Sequence, residues 1–226
     1  MFPVSSERIR YPPDEEQRLF EQLDICEWLK PIVLIALHTG MRRGEICNLQ
    51  LFDLNFDRGL IHVRNTKNGK DRIIPMNATV RQLLEAQRVL RVRKAQENAD
   101  KGKSKVPSPF VFPSPPTEER LVEIKYSFVR AVKQAKITDL RFHDLRHTAA
   151  TRMGDAGADA FTLAAIFGWS DIRMAMRYTH AMEDAKRRAV EAIAVGVTRA
   201  TRENAAIEIS RDRSVTNEKR QALGSP

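Results

Sequence analysis

The chain has 226 residues, 42% hydrophobic and 30% charged, enough for one soluble globular domain with a sizeable core, or one domain plus a tail. Its two cysteines, Cys26 and Cys47, give no disulfide framework, its longest apolar run (residues 31–37) is too short for a bilayer, and residues 1–8 lack a signal-peptide pattern, so a reducing cytoplasm is expected. A formal net charge of +9 and a pI near 9.8 favour a polyanionic partner.

Asp14, Glu15 and Glu16 open a first helix at about residue 14, where acids meet the positive end of the helix dipole. A second helix is predicted over roughly residues 25–39, with Pro31 near its start and Gly40 as its stop. A short helix over about 43–49 carries Glu45, Ile46 and Leu49 at helical spacing. The period then changes. Residues 51–56 and Leu60-Ile61-His62-Val63 alternate, Asp57-Arg58-Gly59 reads as a turn, and Asn68-Gly69 signals a hairpin. Arg72-Ile73-Ile74-Pro75 closes a small antiparallel sheet.

A long helix over about 78–97 places Val80, Leu83, Leu84, Ala86 or Gln87, and Leu90 on one face. Residues 98–117 read as a loop rich in Lys, Ser and Pro, broken by Phe110-Val111-Phe112. Helices recur at about 119–136, 143–156, 159–167, 171–177 and 183–199. Ala185, Ala189, Ile193 and Val197 form an apolar stripe on the last of these. From residue 200 the chain is polar and expected to be disordered. The fold class is therefore mainly α with a small antiparallel β-sheet.

Chemistry concentrates at a few positions. His143 and Arg146 lie three apart at a helix start and share a face. His147 is four from His143, a spacing that can bind metal, but Arg146 beside it and the lack of a nearby third ligand argue against one. Arg42 follows Gly40 at a turn between helices, and Arg42-Arg43 beside Glu45 could equally be a solvated pair. Lys67 and Lys70 flank the hairpin tip. Trp169 carries an indole donor at a Gly-Trp-Ser-Asp break, and Tyr178 is one of only three tyrosines. Taken singly, each has a bland structural reading. Together, arginines suited to the non-bridging oxygens of a phosphodiester accompany a phenol able to attack phosphorus.

The order and spacing resemble the tyrosine recombinases, also called the phage-integrase family. The matching runs are Thr39-Gly40-Met41-Arg42-Arg43-Gly44-Glu45, residues 66–75, His143-Asp144-Leu145-Arg146-His147-Thr148, and Phe167-Gly168-Trp169-Ser170-Asp171 ending at Tyr178-Thr179-His180. The resemblance covers about residues 8–185. It implies a catalytic domain over 1–199, ahead of the polar tail over 200–226; family members usually carry an N-terminal core-binding domain, and its absence here is an expected departure from that pattern.

Role by role, the resemblance implies that Arg42 and Arg146 clamp the scissile phosphate. Lys67 protonates the leaving 5′-oxygen and His143 assists proton transfer. Trp169, where most members have His, donates its N–H, and Tyr178 attacks to form a 3′-phosphotyrosine. It further implies a site-specific recombinase or integrase that acts on double-stranded DNA, as a tetramer on DNA and a monomer without it, needing no cofactor and no metal. An inactive DNA-binding module of the same fold and a type IB topoisomerase are the alternative readings.

Overall fold

The computed structural model describes residues 13–64, 69, 71–101, 108–115, 117–179 and 190–191. Contacts divide the chain into a unit spanning residues 1–180 and a second spanning 181–226. Of the second, Val190 and Glu191 are described; they are helical and exposed. The expected helix over 183–199 and the tail beyond residue 200 otherwise lie outside the described residues.

The first unit is mainly helical with one small sheet, the class the hydrophobic periods indicate. Helix α1 (Pro13–Asp24) has Asp14, Glu15 and Glu16 in its first turn. Helix α2 spans Lys30–Thr39, shorter at its start than the expected 25–39. Pro31 fits within the first turn of a helix, where no N–H is needed, while Cys26 and Leu29 close turns ahead of it. Ile32, Val33, Ile35, Ala36 and Leu37 are all buried, so α2 is apolar nearly all round, as a central helix must be. It packs against α1, α3 (Arg43–Asn48), α4 (Ala78–Asp100) and α6 (Phe142–Asp155).

The predicted alternation at 51–56 resolves into a 3₁₀ turn (Leu51–Asp53) and a two-residue strand β1 (Leu54–Asn55). Asp53 there turns its carboxylate back onto the Gln50 N–H, which favours the turn over extension. Strands β2 (Leu60–Val63) and β3 (Arg72–Pro75) complete an antiparallel sheet of order β1-β2-β3, with Ile61 opposite Ile74 and Val63 opposite Arg72. Gly69 takes φ +67 in the connection between β2 and β3.

In α4, Asn77 caps the N-terminus by accepting from the Val80 N–H. Only Val80 and Leu84 of the expected stripe are buried. The basic side chains along this helix have protein partners: Arg91 and Lys94 bind Glu118, Arg93 pairs with Glu97, and Arg88 lies over the Phe56 ring. The helix expected over 119–136 starts only at Lys125, giving α5 (Lys125–Gln134). Ahead of it Arg120 bridges back to Pro113, and Glu118 takes φ +58.

Helices α6, α7 (Ala160–Phe167) and α8 (Ile172–Met176) surround a second apolar cluster of Ala149, Ala150, Leu163, Phe167, Ala175 and Tyr178. Asp159 and Asp171 cap α7 and α8 with their carboxylates. Among the described residues no helix is long and apolar enough to cross a membrane.

Gly40 joins these two halves. It ends α2 in the left-handed region at φ +65, and a Cβ there would lie 2.3 Å from Cε1 of Phe167. The Gly40→Ala variant therefore combines overpacking with a strained backbone and should lose about 1–3 kcal/mol or more. Gly44→Ala, where a Cβ meets nothing within 4 Å, should be neutral or better in urea melts. Equal midpoints for the two variants would contradict the close Gly40–Phe167 approach.

Candidate active site

The site is built at helix ends. Arg42 is the N-cap of α3 with extended backbone (φ −70, ψ 151). Glu45, one turn on, receives the Arg42 backbone N–H and its guanidinium, both at 2.8 Å. The same carboxylate accepts two bonds from Arg72 of β3, at 2.9 and 2.7 Å. Arg72 also donates through Nε to the Ile166 carbonyl at 2.7 Å. Burial pushes the Glu45 carboxyl up, but Arg72 and Arg42 outweigh it and hold the group below the usual carboxylate range.

Arg146 lies on α6 and is only 3% exposed. Its two terminal nitrogens donate to the carbonyls of Gly40 and Phe167. Its guanidinium carbon sits 4.8 Å from the Phe167 ring centre and 5.6 Å from that of Trp169. Burial, with Arg42 nearby, lowers its pKa to about 9, so it remains charged at neutral pH. Arg42, His143 and Arg146 share the lining of one cavity of about 420 Å³. Phe128, Leu140 and Phe142 form apolar wall there, and Arg43, Lys125 and Arg141 add charge.

Tyr178 follows α8 and is 5% exposed. Its ring stacks on Trp169 (centres 5.5 Å apart, planes 9° apart), and Trp169 stacks on Phe167 at 4.7 Å. The phenol oxygen lies 2.5 Å from Nδ1 of His147. His147 in turn meets His143 edge-on at 5.0 Å. Gly154 makes this packing possible: a Cβ at that position of α6 would meet the Tyr178 carbonyl oxygen at 1.9 Å. Burial raises the Tyr178 pKa against the opposing pull of Arg177 and Arg146.

Of the six residues singled out in the sequence, five converge on this region: Arg42, His143, Arg146, Trp169 and Tyr178. Lys67 lies outside the described residues. Arg43 lines the same cavity and pairs with Glu123 at 3.0 Å. Sequence reasoning missed Arg72, Gly154 and the bond of His147 to the phenol. For His147 the signal was its i+4 spacing from His143; for Arg72, no local pattern distinguishes it from an ordinary strand arginine. No group of three or more His, Cys, Asp or Glu side chains that could hold a metal occurs among the described residues.

Burial lowers the pKa of both His143 and His147; the Arg146 charge adds to this in each, and the Asp144 carboxylate opposes it. His38 on α2 is lowered likewise, by burial and then Arg152. A histidine lowered in the folded state favours the neutral form there. Its stabilising contribution is present above the ordinary value of about 6.5 and is lost as pH falls through the folded value. Thermal midpoints should therefore hold steady above about pH 6.5 and fall as the pH drops below it. A double His143→Gln, His147→Gln variant should flatten that slope; an unchanged slope would remove these histidines as its source.

Residues 10–184 match the Phage integrase family. The integrase of Salmonella phage P22 is 32% identical over 178 residues, covering 77% of this chain and 44% of the integrase. The tyrosine recombinase XerA of Pyrococcus horikoshii is 30% identical over 165 residues, covering 72% of this chain and 53% of XerA. The chain thus spans about half the length of these relatives.

Among solved structures, a crystal structure of XerA recombinase matches with a TM-score of 0.62 and 27% identity, over 85% of this chain and 66% of that one. The catalytic domain of bacteriophage HP1 integrase matches with a TM-score of 0.54 and 27% identity, over 80% of this chain and 92% of that one. The Tn1549 transposon integrase, in complex with transposon right end DNA, shares the fold at 24% identity, with a TM-score of 0.61 over 86% of this chain and 68% of that one. With its fold, its motif order and a family match spanning most of its length, the chain belongs to the phage integrase family of tyrosine recombinases.

Proposed function

We propose that this chain is the catalytic domain of a site-specific DNA recombinase that cleaves and rejoins double-stranded DNA through a 3′-phosphotyrosine. The observation that carries the reading is the meeting of one buried phenol, Tyr178, with the Arg146–Trp169 cluster beside the cavity of Arg42 and His143. Arg42 and Arg146 hold the non-bridging oxygens and offset the charge that builds up as phosphorus becomes five-coordinate. Trp169 supports the nucleophile by stacking and offers its indole N–H to the phosphate, since an indole cannot carry a proton as an imidazole does.

His143, at the cavity edge, assists proton transfer, and Lys67 protonates the leaving 5′-oxygen. The covalent link conserves the energy of the cleaved bond, so rejoining needs no nucleotide. Assembly as a tetramer on DNA, a monomeric state without it and a cytoplasmic location complete the proposal. Support for a DNA substrate comes from the net charge of +9 and from the structural likeness to an integrase in complex with transposon DNA.

Single-turnover cleavage of a nicked suicide duplex tests this reading. Tyr178→Phe should bind DNA within a few-fold of wild type and yield no covalent adduct. Arg42→Ala should slow adduct formation by about 10²–10³-fold, and Arg43→Ala far less. Adduct in the Tyr178 variant, or equal losses at the two arginines, would overturn the assignment.

A further inference from the structure

The attacking oxygen of Tyr178 touches a side chain with no role in the scheme so far. His147 Nδ1 lies 2.5 Å from the phenol oxygen, well within reach for proton transfer. His143 lies one helical turn earlier and lines the arginine cavity instead. The two imidazoles thus face different partners: His143 the cavity, His147 the nucleophile.

Resting on the recombinase reading, we propose that His147 is a catalytic residue, the proton acceptor for Tyr178 in cleavage and the donor that returns the proton in rejoining. In cleavage the Tyr178 oxygen–phosphorus bond forms and the phosphorus–5′-oxygen bond breaks. The phenolic proton moves to His147 Nδ1, giving imidazolium, and the departing 5′-oxygen takes its proton from Lys67. In rejoining an incoming 5′-hydroxyl attacks phosphorus and yields its proton to the now neutral lysine. The Tyr178 oxygen leaves and recovers its proton from His147. Charge and protons balance over the cycle, with no further reactant.

The surroundings suit this role. Burial lowers the His147 pKa; Asp144 opposes this, and Arg146 and Arg177 add to it. His143 and Tyr178 are its ring neighbours. The imidazole is therefore neutral near pH 7 and able to accept. The Tyr178 pKa is raised by burial, so the phenol cannot ionise ahead of attack and needs an acceptor in place. Gly154 lets the Tyr178 backbone lie against α6, on the helix that carries His147. A neutral His147 with Nδ1 as acceptor must carry its proton on Nε2.

Two measurements on the 226-residue chain test the assignment. Imidazole ¹⁵N shifts of His147 in the DNA-free protein should report the Nε2–H tautomer, and Tyr178→Phe should change its titration. A proton resident on Nδ1 at neutral pH would overturn the proposal. The second measurement is adduct formation on the suicide duplex from pH 5.5 to 9.

Wild type should rise with pH and level off once His147 is neutral. His147→Gln, which keeps a hydrogen-bonding side chain without titration, should bind DNA normally. It should form adduct roughly 10²–10⁴-fold more slowly, with a rate still climbing toward the pKa of the phenol. Added imidazole should restore part of the rate in His147→Ala. A His147→Gln rate within threefold of wild type, or an unchanged pH profile, would overturn it. Absence of adduct in wild type at every pH would sink the recombinase reading instead, leaving the tautomer measurement to judge His147.

Discussion

The buried ion pair between Arg72 and Glu45 sets the geometry of the site. Their side chains are 7% and 6% exposed, and both carboxylate oxygens are bonded by the one guanidinium. Removing either partner of such a pair leaves an uncompensated buried charge, worth about 3–5 kcal/mol. The pair ties together three distant stretches of chain: β3 through Arg72, the start of α3 through Glu45, and the end of α7 through the Ile166 carbonyl. Glu45 then fixes Arg42 at both its backbone and its side chain. Arg42 is thus oriented by a carboxylate that is itself held in place by a second arginine.

Crowding Arg42, Arg72 and Arg146 in one place requires compensation, and helix ends supply it. The last carbonyls of a helix lack intrahelical donors and carry partial negative charge. Helix α7 ends at Gly168 in the left-handed conformation, and its Ile166 and Phe167 carbonyls accept from Arg72 and Arg146. Gly40 ends α2 in the same way, and its carbonyl accepts from Arg146. The guanidinium of Arg146 is thereby desolvated yet bonded. Its field is screened less than it would be in water, as the proposed stabilisation of a phosphorane charge would require.

Much of this was legible in the chain. The periods of 3.6 and 2 located the helices and the sheet, and five of the six residues that the family resemblance implied meet in one region. Misplaced boundaries trace to local polar competition. Asp53 turned an apparent strand into a 3₁₀ turn, and the bridge of Arg120 to Pro113 delayed α5. What could not be read from one-dimensional spacing depends on long-range contacts. Arg72 is 27 residues from Glu45 and 94 from Ile166. His147 is 31 residues from Tyr178, and its helical spacing from His143 was weighed only as a metal pair and set aside. Gly154 resembles any helical glycine until the Tyr178 carbonyl is placed over it.

The central claim is that this network delivers one particular phenol to phosphorus, and peptide mapping tests it most directly. After reaction with a nicked suicide duplex, nuclease and trypsin digestion should leave the nucleotide remnant on the peptide of residues 178–186. That peptide begins at Tyr178 after Arg177 and ends at Lys186. Fragmentation should place the added mass on Tyr178. A nucleotide carried by any other residue, Tyr126 or a histidine included, would contradict the account.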